Sequence, residues 1–477
     1  MQQSLIGGLA LCTLLSGCAR VDETTPARNV VLITLDTLRA DRLGSYGNQR
    51  SLTPALDRIA ERGTRFEHAA APMPETGPSH ASMFTGRYPL HHGLTNNLLG
   101  LDQGVETLAE ILRNGGVATA AFYNVFPFGD AKVTQGFETR VEDVGHHAIG
   151  VNGSFDGWLD ELPEDRRFFA WLHFYIVHTP LEPPEEFRQR LVRHHYQGPL
   201  DFSSRTRMRI HTGEIPVPPL YAESFSDCYD AEVAYADSKV EEALQILEHQ
   251  HRARGTLVVV AADHGESIEG RTLGLHAFVL RQSTMRVPLL MIGPGVQKGR
   301  SIPDVVELVD LFPTILEVFG SPVPSSNQGK SLWPVLRGEE RSPRTAFGSL
   351  PTLMEEHNLG QGPGRYVIWD ERWKLRLDER AGEGSARERV VAGLFEWNND
   401  PAEIDDQSVR HPQVAESLRQ GLETWIHAMS EGRSTSNLVN EEFRERLEEL
   451  GYVDSAGQGS DGAGTGPEDG RSLRKDG

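Results

Sequence analysis

Apolar positions along the chain gather into short unbroken runs that end on polar, chemically competent residues. Asn29–Leu35 (NVVLITL) ends on Asp36, Phe168–Tyr175 (FFAWLHFY) leads to His178, and Thr256–Ala262 (TLVVVAA) leads to Asp263-His264. A fourth run, Val287–Ile292 (VPLLMI), leads to Gly293-Pro294-Gly295. Runs of this length without polar alternation read as strands covered on both faces, the pattern of parallel sheets. Helical spacing fills the intervals: Thr53-Pro54 reads as a cap and first-turn proline for a helix running to Gly63, and 105–114 and 229–249 are amphipathic. The alternation predicts an α/β domain with a mostly parallel central sheet, and such sheets carry their sites along the carboxyl edge.

After about residue 340 the pattern changes to scattered aromatics, short runs such as Arg365–Asp370 (RYVIWD) and a helical stretch over 412–430. The expected organisation is a catalytic domain over 28–340 and a smaller carboxy-terminal subdomain over 341–453. Residues 454–477 hold almost no apolar side chains and many glycines, so they cannot offset their ordering entropy and are expected to be disordered. There is no internal repeat and no Gly-rich phosphate loop. At the other end, the apolar stretch 5–15 followed by Leu15-Ser16-Gly17-Cys18 resembles a bacterial lipoprotein signal. That reading makes 1–17 a signal peptide, Cys18 a lipid attachment point, and the mature chain an exported protein of the cell envelope, held to a membrane by acyl chains alone. Met1-Gln2-Gln3-Ser4 carries no Lys or Arg, which leaves an ordinary secretory signal or a fortuitous match as the alternatives.

Charge narrows the partners: 68 acidic against 47 basic side chains give a net charge of −21. A nucleic-acid partner is excluded, because phosphate binding needs concentrated basic surface. With 38% hydrophobic and 24% charged residues the chain is of ordinary globular composition. Its three cysteines, Cys12, Cys18 and Cys228, exclude a disulfide scaffold. Apart from the first twenty residues, no apolar run approaches the about 20 residues of a membrane span.

Asp36 and the pair Asp263-His264, each at the end of an expected core strand, suit a divalent metal. The segment Thr76-Gly77-Pro78-Ser79-His80 through Thr85-Gly86-Arg87 reads as a helix that starts at a hydroxyl and stops at a glycine. A hydroxyl there sits at the positive end of a helix, which lowers the cost of an alkoxide and of an incoming anionic ester.

These motifs, with Leu35-Asp36-Thr37-Leu38-Arg39, Ala262-Asp263-His264-Gly265-Glu266, Arg286-Val287-Pro288, Asp310-Leu311-Phe312-Pro313-Thr314 and Asp400-Pro401-Ala402-Glu403, follow one another in an order that resembles the sulfatase family of the alkaline-phosphatase superfamily. The likeness covers roughly residues 28 to 430. It implies an alkaline-phosphatase-like α/β sandwich, a metal at the strand ends, and hydrolysis of sulfate or phosphate esters through a nucleophile at Thr76.

Departures from the family pattern matter as much. Sulfatases carry Cys or Ser where this chain has Thr76, and threonine is not converted to formylglycine, so no formylglycine is expected and Thr76 acts as an unmodified hydroxyl. His80 stands where the family has Arg, Thr37 where it has a second metal-binding Asp, and Tyr123-Asn124-Val125-Phe126 where it has Gly-Lys-Trp-His. The pattern resembles the superfamily's threonine-nucleophile phosphodiesterases and phosphonate hydrolases more closely. On that likeness Asp36, Thr76, Asp263 and His264 hold the metal, Asn97 steadies a substrate oxygen, and His178 and His276 either protonate the leaving group or help build a second metal site. Zn or Mn is favoured and Ca is possible. His80 reads equally as a support of the nucleophile turn or as structural, and Asp310 as structural. His91, His194 and His195 have no assigned role, and Arg207, Arg209 and His211 in the loops over 186–222 could meet an anion. The partners are thus a small-molecule or glycan sulfate or phosphate ester. Two rival readings are a phosphodiesterase or phosphonate monoester hydrolase, and a non-catalytic lipoprotein that binds an anionic glycan.

Overall fold

The computed structural model describes residues 27–124, 132–143, 148–339, 344–351, 364–381, 387–431, 434 and 437–438. The expected signal peptide with Cys18, the tail over 454–477, and Val125-Phe126 lie outside the described residues.

The apolar runs form strands, as their composition dictates. In chain order they are β1 (Asn29–Leu35), β2 (Thr64–Ala70), β3 (Leu99–Gly100), β4 (Ala118–Asn124), β5 (Thr139–Asp143), β6 (Phe168–Phe174), β7 (Thr256–Ala262), β8 (Arg286–Ile292) and β9 (Arg300–Glu307). All except β3 join one eight-stranded sheet in the order β5-β4-β6-β1-β7-β8-β2-β9. Every residue of β1, β4, β6 and β7 is buried, as strands covered on both faces require. Helices cover the two faces as separate sets. Pro54–Arg62, Ile149–Glu161 and Glu185–Leu191 pack with the long helix Pro219–His249, whereas Thr76–Thr85 and Leu108–Asn114 pack with Leu311–Phe319.

One strand runs against the rest. β8 is antiparallel to both β7 and β2, which carries its Gly293-Pro294-Gly295 end to the opposite edge from Asp263. A Cβ on Gly293 would meet the backbone at Thr256 and Leu257, where β7 begins. The fourth apolar run therefore delivers nothing to the site, because an apolar run encodes burial and not direction.

Helix limits also move. The stretch over 105–114 is helical only from Leu108, because Thr107 forms a capping box with Glu110. The helix expected over 229–249 starts ten residues earlier, at Pro219. Its first turns hold buried Asp227 and Asp230 paired with Arg50, Arg42 and Arg193, and these charges mask the apolar face. Thr53 does not cap its helix. Asp237 does, accepting the backbone N–H groups of Ala55 and Leu56 at 3.0 and 2.8 Å.

The carboxy-terminal part is an antiparallel sheet of β10 (Ala346–Leu350), β11 (Arg365–Trp369), β12 (Lys374–Ala381) and β13 (Arg387–Phe395), with the helix Pro412–Ser430 packed on it. Among the described residues no helix is long and apolar enough to cross a membrane.

Candidate active site

Strand register builds the site. Leu35 pairs with Ala262 on one side and Phe174 on the other, so Asp36 and Asp263 leave the sheet side by side. The helix Thr76–Thr85 ends its approach at the same place, and Asp36, Thr76, Asp263 and His264 have no solvent exposure. Two glycines permit the close approach. A Cβ on Gly77 would press on Asn97 Oδ1 at 3.1 Å, and one on Gly265 would collide with the Ser283 carbonyl.

Hydrogen bonds fix the proton on His264. Its Nδ1 lies 2.9 Å from the Gly265 carbonyl, which can only accept, so Nδ1 carries the hydrogen and Nε2 presents a lone pair. That lone pair is 3.3 Å from Thr76 Oγ1, 3.6 Å from Asp263 Oδ2 and 4.0 Å from Asp36 Oδ1. Asp263 Oδ1 accepts the backbone N–H groups of Thr37 and His264 at 3.2 and 2.9 Å. Both Asp36 carboxylate oxygens and Asp263 Oδ2 are buried with no hydrogen-bond partner among the described residues. Burial, and then the Asp263 charge, raise the Asp36 carboxyl well above the usual carboxylate range. Burial opposes ionisation of Asp263 too, yet its carboxyl lies below the ordinary value, because any charge on His264, His80 or His173 and the His264 backbone N–H favour the carboxylate.

Two desolvated carboxylates with orphaned oxygens are costly to fold around unless a cation satisfies them. Asp36, Asp263 and His264 each place one ligand atom within 4.8 Å of the others, and this donor set of oxygen and imidazole nitrogen fits a divalent ion. Thr37, which stands where the family has an acid, turns its hydroxyl away to the Val177 carbonyl at 2.9 Å and contributes only its backbone N–H.

The neighbouring imidazoles stay uncharged. His80 donates from Nδ1 to the Thr76 carbonyl at 2.8 Å, and its Nε2 meets Thr34 Oγ1 at 3.1 Å. Burial and then His173 push His80 down to about 3. His173 itself, 2.9 Å from the same Thr34 hydroxyl and 3.5 Å from Asp36, is pushed down to about 4 by burial. His80 thus supports the Thr76 carbonyl and, being uncharged, does not supply the charge that an arginine would bring there.

Asn97 accepts the Gly77 N–H at 2.9 Å through Oδ1, so its amide nitrogen is the group left to donate. Its own backbone N–H goes to Glu75 Oε2 at 3.0 Å. Next to His264 stands His276, with ring centroids 4.5 Å apart, and then His178, 5.3 Å from His276. His276 Nδ1 lies 3.1 Å from Glu266 Oε2, and that carboxylate fixes its tautomer. His178 donates from Nδ1 to the Thr179 carbonyl at 2.6 Å, stacks on Tyr175, and is held well below its ordinary range by burial and His276.

Other candidates lie elsewhere. Asp310 braces the helix that starts at Leu311, accepting from the Glu307 and Lys330 backbones and pairing with Arg344. Arg209 turns to Glu214, His194 to Asp227 and His91 to Gln328, while His195 is exposed. Arg207 and His211 face the loop that carries His276. Sequence reasoning passed over Glu266 and Thr34, and read His173 only as a satisfied core or loop imidazole. The sign of the last two was a polar residue inside an otherwise apolar strand; Glu266 stood in a quoted motif, two positions after His264.

A family model described as Sulfatase matches residues 28–321, and one described as N-sulphoglucosamine sulphohydrolase, C-terminal, matches 276–431. Arylsulfatase K of Homo sapiens is 23% identical over 499 residues, covering 94% of this chain and 91% of its own. Among solved structures, a 2-O GAG sulfatase superposes with a TM-score of 0.69 at 19% identity, covering 88% of this chain and 96% of that one. The phosphonate monoester hydrolase of Agrobacterium radiobacter superposes with a TM-score of 0.66 at 20% identity, covering 85% and 96%.

Proposed function

The chain belongs to the sulfatase family of hydrolases, and from that premise we propose that it cleaves a sulfate or phosphate ester with the unmodified Thr76 hydroxyl as nucleophile. Asp36, Asp263, His264 and Thr76 are the residues that would hold a divalent metal, Zn or Mn before Ca. A metal bound there supplies Lewis acidity that favours the Thr76 alkoxide and offsets substrate charge. Thr76 Oγ1 attacks sulfur or phosphorus in line with the departing oxygen. The Asn97 amide and the amino end of the helix Thr76–Thr85 stabilise the non-bridging oxygens. His276, oriented by Glu266, delivers a proton to the leaving oxygen, whereas His178, uncharged and with its Nδ1 hydrogen given to the Thr179 carbonyl, has none to give; water then cleaves the Thr76 sulfate or phosphate ester and releases the inorganic ion.

The observation that carries this reading is the proton on His264, which turns a lone pair toward Thr76 beside two orphaned carboxylates. Matched aryl sulfate, phosphate monoester and phosphodiester substrates test it, together with Thr76→Ala. The variant should lose at least about a thousandfold in kcat while keeping its metal; unchanged turnover would remove Thr76 from the reaction. Because the hydroxyl is unmodified and the family's second acid and arginine are replaced by Thr37 and His80, the alternative of a phosphodiesterase or phosphonate monoester hydrolase is supported on the same site. A phosphodiester preferred by orders of magnitude selects it. We further assign Cys18 as a lipid attachment point of an exported chain. Mass spectrometry of the mature amino terminus checks this, and an unmodified Cys18 would sink it.

A further inference from the structure

One hydroxyl beneath the site has three partners and a single hydrogen to give. Thr34, on β1 two residues before Asp36, has no solvent exposure, and its Oγ1 lies 2.8 Å from Trp171 Nε1, 2.9 Å from His173 Nδ1 and 3.1 Å from His80 Nε2. A threonine hydroxyl donates once and accepts twice, so the three contacts fix one another's directions. Trp171 Nε1 can only donate, which takes one lone pair of Oγ1. Burial keeps both imidazoles uncharged. His80 Nδ1 faces the Thr76 carbonyl, which can only accept, so Nδ1 carries the hydrogen and Nε2 offers a lone pair. The Thr34 hydrogen therefore points to His80, and the second lone pair of Oγ1 takes the hydrogen of His173 Nδ1. An uncharged His173 then has no hydrogen on Nε2, the atom 3.5 Å from Asp36 Oδ2. Asp36 thus faces a lone pair. In the other tautomer it would face an N–H, which would satisfy its carboxylate in part without any cation.

Resting on the reading of Asp36, Asp263 and His264 as a metal site, we propose that Thr34 is a positioning residue, whose hydroxyl holds His173 in the Nδ1–H tautomer and so keeps both Asp36 oxygens for the cation. Nitrogen-15 NMR of the metal-free, histidine-labelled wild type reads the tautomer, with the His173 signals identified by their loss in His173→Asn. A bare Nε2 is expected, and an Nε2–H tautomer overturns the proposal. Dissociation constants for Zn and Mn, from competition with a chelator, read the consequence. Thr34→Ser keeps the hydroxyl and should bind within about threefold of wild type. Thr34→Val fills the same space without an acceptor, so His173 should move its hydrogen to Nε2, donate to Asp36 and weaken metal binding about tenfold or more. A merely structural Thr34 would lower stability in the valine variant and leave tautomer and affinity where they were, which overturns the proposal. A second pair serves if Thr34→Val does not fold. His173→Asn, whose amide reaches only Thr34, should bind within about threefold of wild type, whereas the longer amide of His173→Gln can donate to Asp36 and should cost about tenfold; the opposite order overturns the proposal. A wild type that binds neither ion overturns the metal site and this role with it, whereas wild-type binding that Thr34→Val leaves unchanged overturns the role of Thr34 alone.

Discussion

At the scale of single residues, the site stores electrostatic stress that a bound cation would relieve. Asp36 and Asp263 are fully buried side by side, and burial with mutual repulsion already pushes the Asp36 carboxyl up. Replacing Asp36 by Asn should therefore do opposite things to stability and to metal affinity. Without metal the variant loses a buried charge and should be more stable than wild type by roughly 1–3 kcal/mol, a rise of a few degrees in melting temperature. If Asp36 is a ligand, as proposed, any stabilisation that added Zn or Mn gives the wild type should mostly vanish in the variant. Thermal unfolding of both proteins with and without chelator measures the two effects. An Asn variant destabilised to the same extent in both conditions would show that Asp36 is a packing residue and not a strained ligand.

At the scale of elements, the long helix Pro219–His249 holds a second stressed acid. Glu232 accepts the Glu182 N–H at 2.8 Å, and burial raises its carboxyl to about 8. A carboxyl whose folded value lies above its ordinary 4.5 favours the fold when protonated. Its contribution is complete below that ordinary value and is lost as pH rises through about 8. The loss is roughly 1.4 kcal/mol per pH unit between the two values. Glu232→Gln keeps the acceptor and should flatten the decline in stability between pH 4.5 and about 8, measured by denaturant unfolding across that range. An unchanged decline would assign it to other groups. Such features explain what was legible beforehand. Strand ends such as Asp36 and Asp263-His264 were plain, because a buried strand needs an unbroken apolar run and the chain turns polar where it leaves the core. The reversed β8 was not, since direction leaves no trace in hydrophobicity. The true start of this helix was hidden in part by Asp227, whose partners Arg50 and Arg193 are remote in sequence. Glu266 and His276 were quoted or proposed separately, but their pairing depends on how a ten-residue loop folds back.

The short helix Gln282–Met285, which follows that loop, ties the two sheets together. Glu403 accepts the Gln282 backbone N–H at 3.0 Å, and it forms a fully buried pair with Lys374 at 2.6 Å, supported by Arg376. Lys374→Met leaves Glu403 short of a partner and should cost about 3–5 kcal/mol, less whatever Arg376 recovers. The double variant Lys374→Met, Glu403→Gln keeps the acceptor for Gln282 and should recover much of the loss. Unfolding free energies of the single and double variants form the check. A double variant as unstable as the single one would mean that packing, rather than an uncompensated charge, dominates the junction.

At the scale of the whole molecule, the charge of −21 and the proposed anionic substrate oppose each other, and distance decides which field the substrate feels. At about 0.01 M salt the screening length is about 30 Å, so acids over the entire surface repel an approaching anion. At about 0.15 M it contracts to about 8 Å, and only groups near the site act. Those groups are of the other sign: Arg207, Arg365 and the amino end of the helix Thr76–Thr85. Raising the salt over this range should remove long-range repulsion faster than it weakens the short-range attraction, so kcat/KM should increase, by roughly twofold to fivefold. A protein that gathers its substrate with a long-range positive field would show the reverse slope. Measuring kcat/KM for one sulfate ester across this range decides the matter, and a steady fall with salt would mean that the acidic surface is turned away from the mouth and takes no part in the encounter.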